Sequence, residues 1–337
     1  MGTAVEFSAG GRLEVRVTPT DVGKRVSVRQ LTGAGPGAGQ FTDTVGVLTS
    51  WDDGVVLVTR RTGERVSIPE SAVVAAKVVP AAPARRRGPA ASFDELAHVC
   101  ARAWQPAETE SLGDWRLGAS GGFTRRANSV VPLGDPGLPL DEALERVRAW
   151  YGARGLPPYI QVSSGAEGAQ ELLGAELARR GWVAEVSVEV RIGALAPLAE
   201  AAPDADAEQV ALRPVCDESW LRGYHRFSAP GPEVLHVLNT APSVRFATVP
   251  GATETPAAIG RCVVDGRWAG FMAVEVDPAH RRQGLATAVM TALARDALAQ
   301  GASAAWLQVE TENEAARAMY DRLGFVTHHR YQHFRFS

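Results

Sequence analysis

Residues 281 to 287, Arg-Arg-Gln-Gly-Leu-Ala-Thr, lie between an apolar run from Phe271 to Val276 and a helix-forming run that reaches Leu298. A strand, a loop of arginine and glycine, and a helix in that order make an anion site, because the first helical N–H groups lack internal partners and point into the loop. Gly284 lets the backbone approach a bulky anion without a Cβ, Ala286 keeps the first turn narrow, and Arg281 and Arg282 add charge to the helix dipole. The natural guest is a pyrophosphate held mainly on backbone amides, with Gln283, Leu285 and Thr287 completing the loop and first turn. Farther on, Asn313 and Tyr320 sit in a second strand-to-helix unit that ends at Leu323-Gly324-Phe325. Asn313 suits a helix N-cap, and Tyr320 offers a phenol, whose unperturbed pKa of about 10 makes it a proton donor at neutral pH. Glu275 and Glu310 end the strands that lead into the two loops, where each is either a proton acceptor or a solvated strand-end carboxylate.

The elements that must position these groups occupy only part of the chain. At 337 residues the protein is too long for one typical core and should hold two or three domains. Its 45% hydrophobic and 22% charged content is that of a globular protein, and a net charge of -3 argues against coating nucleic acid or an anionic membrane. The three cysteines, Cys100, Cys216 and Cys262, are too scattered for a disulfide framework or a thiolate metal site, so no metal is expected and the cytoplasm is the default. The N-terminus lacks the basic and apolar regions of a signal peptide, and no run has membrane-spanning length.

Short strands with turn punctuation fill residues 12 to 79, at 12–18, 25–31, 44–51, 55–59 and 65–69, with hairpin signals at Asp52-Asp53-Gly54 and Thr62-Gly63-Glu64. They predict a small five-stranded all-β barrel over 1–80, and the Gly-rich stretch 33–40 is like the first loop of SH3-like barrels. A Pro/Arg linker follows over 81–92, and a second linker rich in Ala, Pro and Asp covers 194–209. Between them, 93–193 alternates helices and strands. Its end, Tyr159 to Val162, a helix, then Arg180-Gly181-Trp182, parallels Trp306 to Val309, a helix, then Leu323-Gly324-Phe325. Aligned on those glycines, Leu177 stands for Tyr320 and Gln170 for Asn313, and the earlier segment has no Arg-x-x-Gly-x-Ala loop. A duplication would therefore leave one active copy, in 210–337.

Block 210–337 resembles the GNAT superfamily of N-acetyltransferases in element order and in two motifs. Val274 to Ala286 is similar to its strand-loop-helix signature, Arg/Gln-x-x-Gly-x-Gly/Ala, and Asn313 to Phe325 to its second, Asn-x-x-Ala-x-x-x-Tyr-x-x-x-Gly-Phe. The resemblance implies an α/β mixed-sheet fold in tandem lobes, acetyl-CoA (coenzyme A) as donor, and a strand that splays at Val274 and Val276 so that the pantetheine arm pairs with it. It further implies that Asn313 binds the cofactor and that Tyr320 protonates the departing thiolate. One position departs from the pattern: many relatives carry a Glu where this chain has Gln308, and Gln cannot accept the amine's proton. Glu275, Glu310, a water chain or an amine that arrives neutral remain as the means.

No cysteine lies in either motif, so direct transfer to a primary amine in a ternary complex is expected. A degenerate lobe packed against the active one would narrow the site toward a small-molecule acceptor, with a protein acceptor as the other choice. Trp220, Tyr224, His225 and Phe227 either border that acceptor or pack the core. The alternative to an enzyme is an acetyl-CoA-sensing module with the barrel as its interaction domain. The expected assembly is a monomer or homodimer, without nucleic acid.

Overall fold

The computed structural model describes residues 15–32, 40–80, 88–225 and 231–336, in two compact units, Met1–Pro83 and Ala84–Ser337. Most of the loop expected at 33–40, most of the linker expected at 81–92, the start of the strand expected at 12–18, and Phe227 lie outside the described residues; the described end of that expected strand holds only an isolated bridge at Val15, and the fifth strand is 73–78 instead.

The first unit is an antiparallel sheet of β1 (Arg25–Thr32), β2 (Gln40–Asp52), β3 (Val55–Thr59), β4 (Arg65–Pro69) and β5 (Val73–Val78), in the order β4-β3-β2-β1-β5. Asp53 and Gly54 have φ of 50° and 74°, the two-residue hairpin turn that matches strand twist. Alternation along the strands sends Val26, Val28, Leu48, Val56, Val58 and Ile68 into one small core.

The second unit begins with α1 (Phe93–Ala103), whose N-cap Ser92 accepts from Glu95 N at 3.1 Å and which buries Leu96, Val99, Cys100 and Ala103 along one face. Next come β6 (Glu108–Leu112), β7 (Trp115–Ala119) and β8 (Val131–Pro132), a sheet of their own, then α2 (Leu140–Gly152), β9 (Tyr159–Ser164), α3 (Glu171–Arg179) and β10 (Trp182–Ala194). The stretch expected as a bare linker, 194–209, instead forms α4 (Leu195–Ala199) and α5 (Asp204–Glu208). Composition misled there, because part of the stretch is core: Leu195, Leu198, Ala199, Ala202 and Ala207 are buried, and Arg295 ties Ala199 O at 2.9 Å and Asp204 at 2.7 Å. The remainder is β11 (Ala211–Arg213), α6 (Glu218–Arg222), α7 (Pro232–Asn239), β12 (Val244–Val249), β13 (Ala258–Asp265), β14 (Trp268–Val276), α8 (Leu285–Ala299), β15 (Ala304–Glu310), α9 (Glu314–Arg322) and β16 (Val326–Phe336).

These strands make one eight-stranded mixed sheet in the order β11-β12-β13-β14-β15-β10-β16-β9. The two repeats are β9-α3-β10 and β15-α9-β16, and they interleave: β10 lies between β15 and β16, while β16 lies between β10 and β9, all antiparallel. Each repeat's last strand thus completes the other's ladder. Two apolar layers cover the central sheet. One packs α4 and α8 with Phe271, Leu307 and Val309, and the other packs α1, α6 and α7 with Trp268, Met272 and Trp306.

Candidate active site

The cleft forms where β14 and β15 part. Their parallel ladder runs from Trp268↔Ala304 to Phe271↔Leu307 and stops, leaving Met272 to Val276 and Gln308 to Glu310 beyond it. A bulge drives the separation. Arg261 pairs with Met272 and Ile259 with Glu275, so one residue too many is placed on β14, and Ala273 takes φ of 52° to absorb it. Across the bulge Gly260 has no room for a side chain, since a Cβ there would meet Val289 Cγ1 of α8 at 2.5 Å.

Val274 and Val276 turn toward the α8 layer, where Leu285, Ala316, Met319, Tyr320 and Leu323 pack on the same core. The structure therefore gathers the residues of both motifs on one side of the cleft. Beyond β14, Asp277 Oδ1 accepts from Ala279 N at 2.8 Å and shapes the turn into the loop. Arg281, Arg282, Gln283 and Gly284 are exposed, and the loop reaches α8 through two left-handed residues, Arg282 at φ 64° and Gly284 at φ 81°. Gly284 is required by that φ. A Cβ there meets no protein atom within 4 Å, so the open side is left to a guest. Helix α8 starts at Leu285, which puts the N–H groups of Leu285, Ala286 and Thr287 in its partner-free first turn. Thr287 also lines a groove of about 480 Å³ with Pro197, Ala201, Met319, Arg322, Leu323 and Gly324.

Asn313 is the N-cap of α9, its Oδ1 accepting from Ala316 N at 3.1 Å. Seven residues along, the half-buried Tyr320 ring stands edge-on to Phe325 at 5.9 Å.

Gln308 alternates with Leu307 and Val309 of the α8 layer, so it faces the opposite layer, and Glu310 shares its face. Gln308 is engaged: its Oε1 accepts from Arg126 Nε at 2.5 Å, and the same N–H lies 3.1 Å from Tyr331 Oη. Glu275 is half-buried and accepts from His225 N at 3.2 Å, while Glu310 is exposed at the end of β15. Of the aromatics read as either acceptor border or core, Trp220 is fully buried and donates Nε1–H to Gly260 O at 3.0 Å, which makes it core. Tyr224 is buried between Trp220 and Phe123, and His225 is exposed.

Two residues that sequence reasoning passed over enter this region, Arg126 and Arg261. The Arg125-Arg126 pair carried no motif, but Arg261 left a signal: it is the one charge inside the apolar strand from Ala258 to Val264, and it is fully buried. The three thiols are buried, and desolvation raises all of them, Cys216 and Cys262 to about 12, so none is a thiolate at neutral pH.

The family model described as "probable histone acetyltransferase Rv0428c C-terminal" matches residues 90–334, and the Rv0428c N-terminal Sm-like domain matches 20–77. The uncharacterized N-acetyltransferase YobR of Bacillus subtilis is 24% identical over 246 residues, which cover 71% of this chain and 97% of YobR. A [ribosomal protein bS18]-alanine N-acetyltransferase of Haemophilus ducreyi is 44% identical over 50 residues, 15% of this chain and 34% of that protein. Among solved structures, a GCN5-related N-acetyltransferase from Kribbella flavida superposes with a TM-score of 0.51 at 19% identity, over 73% of this chain and 96% of that one. A tandem GNAT protein from the clavulanic acid biosynthesis pathway gives 0.50 at 16% identity, over 74% and 89%. With a match over 90–334, well over half of its length, the chain belongs to the family of the Rv0428c C-terminal acetyltransferase domain, and is a GNAT-fold acyltransferase preceded by an Sm-like domain.

Proposed function

We propose that the protein is an acetyl-CoA-dependent N-acetyltransferase that acetylates the primary amine of a small molecule by direct attack in a ternary complex. The observation that carries this reading is the early end of the β14–β15 ladder at Phe271↔Leu307, next to a partner-free helix start at Leu285. The exposed strand edge from Val274 to Val276 suits the amide-rich arm of the cofactor, and the loop from Arg281 to Thr287 suits its pyrophosphate. When bound, acetyl-CoA supplies the acyl group as an activated thioester.

The remaining chemistry belongs to the chain. Tyr320 holds a proton on Oη for the leaving sulfur, and Asn313 keeps α9 in register for it. Glu275 and Glu310 stand on the acceptor side as candidate bases, since the Gln308 carboxamide has no basicity and is bound to Arg126. Neutral, buried thiols favour transfer without an acyl-enzyme. In this scheme 210–337 carries the catalytic residues, 93–193 is the degenerate lobe, and the barrel of 1–80 serves protein contact or bracing. The setting is the cytoplasm, as monomer or homodimer.

Titration calorimetry with acetyl-CoA tests the scheme, and no binding at roughly 1 mM cofactor ends it. The family's description favours a second reading, a lysine side chain of a protein as acceptor. Cofactor binding with no thiol release across a broad amine panel would favour a sensing module instead.

A further inference from the structure

The acceptor side of the cleft holds two guanidinium groups that no carboxylate among the described residues pairs with. Arg126 is half-buried, and only its Nε is engaged, with Gln308 and Tyr331, among the described residues. Arg261 is fully buried. Its Nε donates to Leu238 O at 2.8 Å, its Nη1 lies 3.2 Å from Ala103 O and 2.6 Å from Met272 Sδ, and its Nη2 has no partner. Burial lowers Arg261 to about 10, which leaves it charged at neutral pH.

Trp104 lies between the two, its ring 5.8 Å from the Arg126 guanidinium carbon and 5.4 Å from that of Arg261, and its buried Nε1 is also without a partner. His333, on the same strand face as Tyr331, is buried, held neutral by desolvation, and unpartnered at both ring nitrogens. Among the described residues neither arginine has a carboxylate within ion-pair distance. Glu275 accepts from the His225 backbone, and Glu310 is exposed at the mouth, where its charge reaches Tyr331.

A buried guanidinium without a counter-ion costs several kcal/mol, so such a cluster is retained where something completes it. Its open donors are the Nη groups of Arg126, Nη2 of Arg261 and an indole N–H, with aromatic and thioether walls from Trp104, Tyr331 and Met272. That set fits one planar anion better than a cation. The cluster also lies at the apex of the split, since Arg126 bonds Gln308 of β15 and Arg261 touches Met272 of β14, the first residues past the ladder.

We infer that the acceptor is an amine that also carries a carboxylate, an amino-acid-like molecule whose carboxylate sits on Arg126, with Trp104 and Arg261 behind it, while its amine reaches the Glu275 and Glu310 end. This rests on the acetyltransfer reading above. A lysine-rich protein tail is disfavoured by the same charges, because it would bring further cations to unpaired arginines.

The test uses free amino acids of varied side chain, each beside its carboxamide and its decarboxylated amine, with a lysine-rich peptide as the cationic arm and inorganic phosphate as the other anion. Thiol release from acetyl-CoA gives kcat/KM, and calorimetry with coenzyme A present gives binding without turnover. The acids should be preferred by about 10- to 100-fold, the range of a charge-assisted hydrogen bond. In Arg126→Gln the acid-over-amide ratio should collapse toward one through KM, and Arg126→Lys should restore part of it. Melting temperatures of both variants report whether they fold. Equal or better use of amides or of the peptide, or no carboxylate-selective binding by calorimetry, overturns the inference. Carboxylate-selective binding without thiol release upholds the carboxylate site on Arg126 and sinks the acetyltransfer reading instead.

Discussion

The interleaved sheet has a chemical lock whose strength can be measured. Glu189 of β10 is 1% exposed and accepts from Arg330 at 2.7 Å, Arg191 at 2.8 Å, Thr327 at 3.1 Å and Arg317 at 3.3 Å. One carboxylate thus joins β10 to β16 and to α9, the helix that carries Tyr320. Burial alone would raise its pKa, but hydrogen bonds from Arg330 and Arg191 outweigh that and hold it at about 2, against 4.5 for a free glutamate. The difference corresponds to about 3 kcal/mol. Because the folded pKa is the lower one, this stability is fully present above pH 4.5 and is lost as the pH falls toward about 2. Glu189→Gln keeps an acceptor oxygen but leaves Arg330 and Arg317 without their carboxylate and Arg191 with Asp321 alone, at 3.0 Å. It should cost about 3 kcal/mol at neutral pH, a drop of roughly 6 to 12 °C in Tm for a unit of this size. Thermal unfolding followed by circular dichroism from about pH 7.5 to 3, on both proteins, checks it. The gap between them should narrow below pH 4.5, with titrations common to both cancelling. A gap that stays constant to pH 3, or never exceeds about 1 kcal/mol, would refute the electrostatic lock.

Gly284→Ala should cost about 1 to 2 kcal/mol and weaken acetyl-CoA binding, because φ of 81° is left-handed while the Cβ itself clashes with nothing. Gly284→Asn, which tolerates that region, should lose less, and unchanged melting and affinity in the alanine variant would show that the loop does not need its glycine. Tyr320→Phe should lower kcat in the thiol-release assay while sparing the acetyl-CoA Kd; unchanged turnover removes Tyr320 from the mechanism. Asn313→Ala removes the cap on Ala316 N and should destabilise by about 1 kcal/mol, seen as a Tm lower by roughly 2 to 4 °C. Comparing Glu275→Gln with Glu310→Gln assigns the base: the true one loses the rise of kcat/KM with pH, and if both keep it, the amine arrives neutral or deprotonates through water.

Local patterns were legible where local physics sets the structure. The Asp53-Gly54 turn, the N-cap at Asn313 and the left-handed glycine before α8 are each decided within a few residues. The stretch 194–209 was misjudged, because its Ala, Pro and Asp composition was taken for linker while small residues in fact pack α4 and α5 onto α8. Trp220 was ambiguous for a related reason: an indole on a helix face serves a core or a ligand equally until its neighbours are known, and its neighbour is Gly260 O.

By itself, the sequence determined the arginine-glycine loop before α8, the two motifs and the family resemblance, because backbone amides, glycine torsions and helix caps are properties of short segments. It also contained the repeat, in the echo of Tyr159 to Trp182 by Trp306 to Phe325. Only the tertiary structure decided that the two copies exchange their last strands, since ladder order depends on pairings between segments far apart in the chain. That exchange brings β10 and its Glu189 against β16 and α9. The same folding sets Arg126 beside Gln308, a contact across 182 residues of chain that no spacing rule could have foretold.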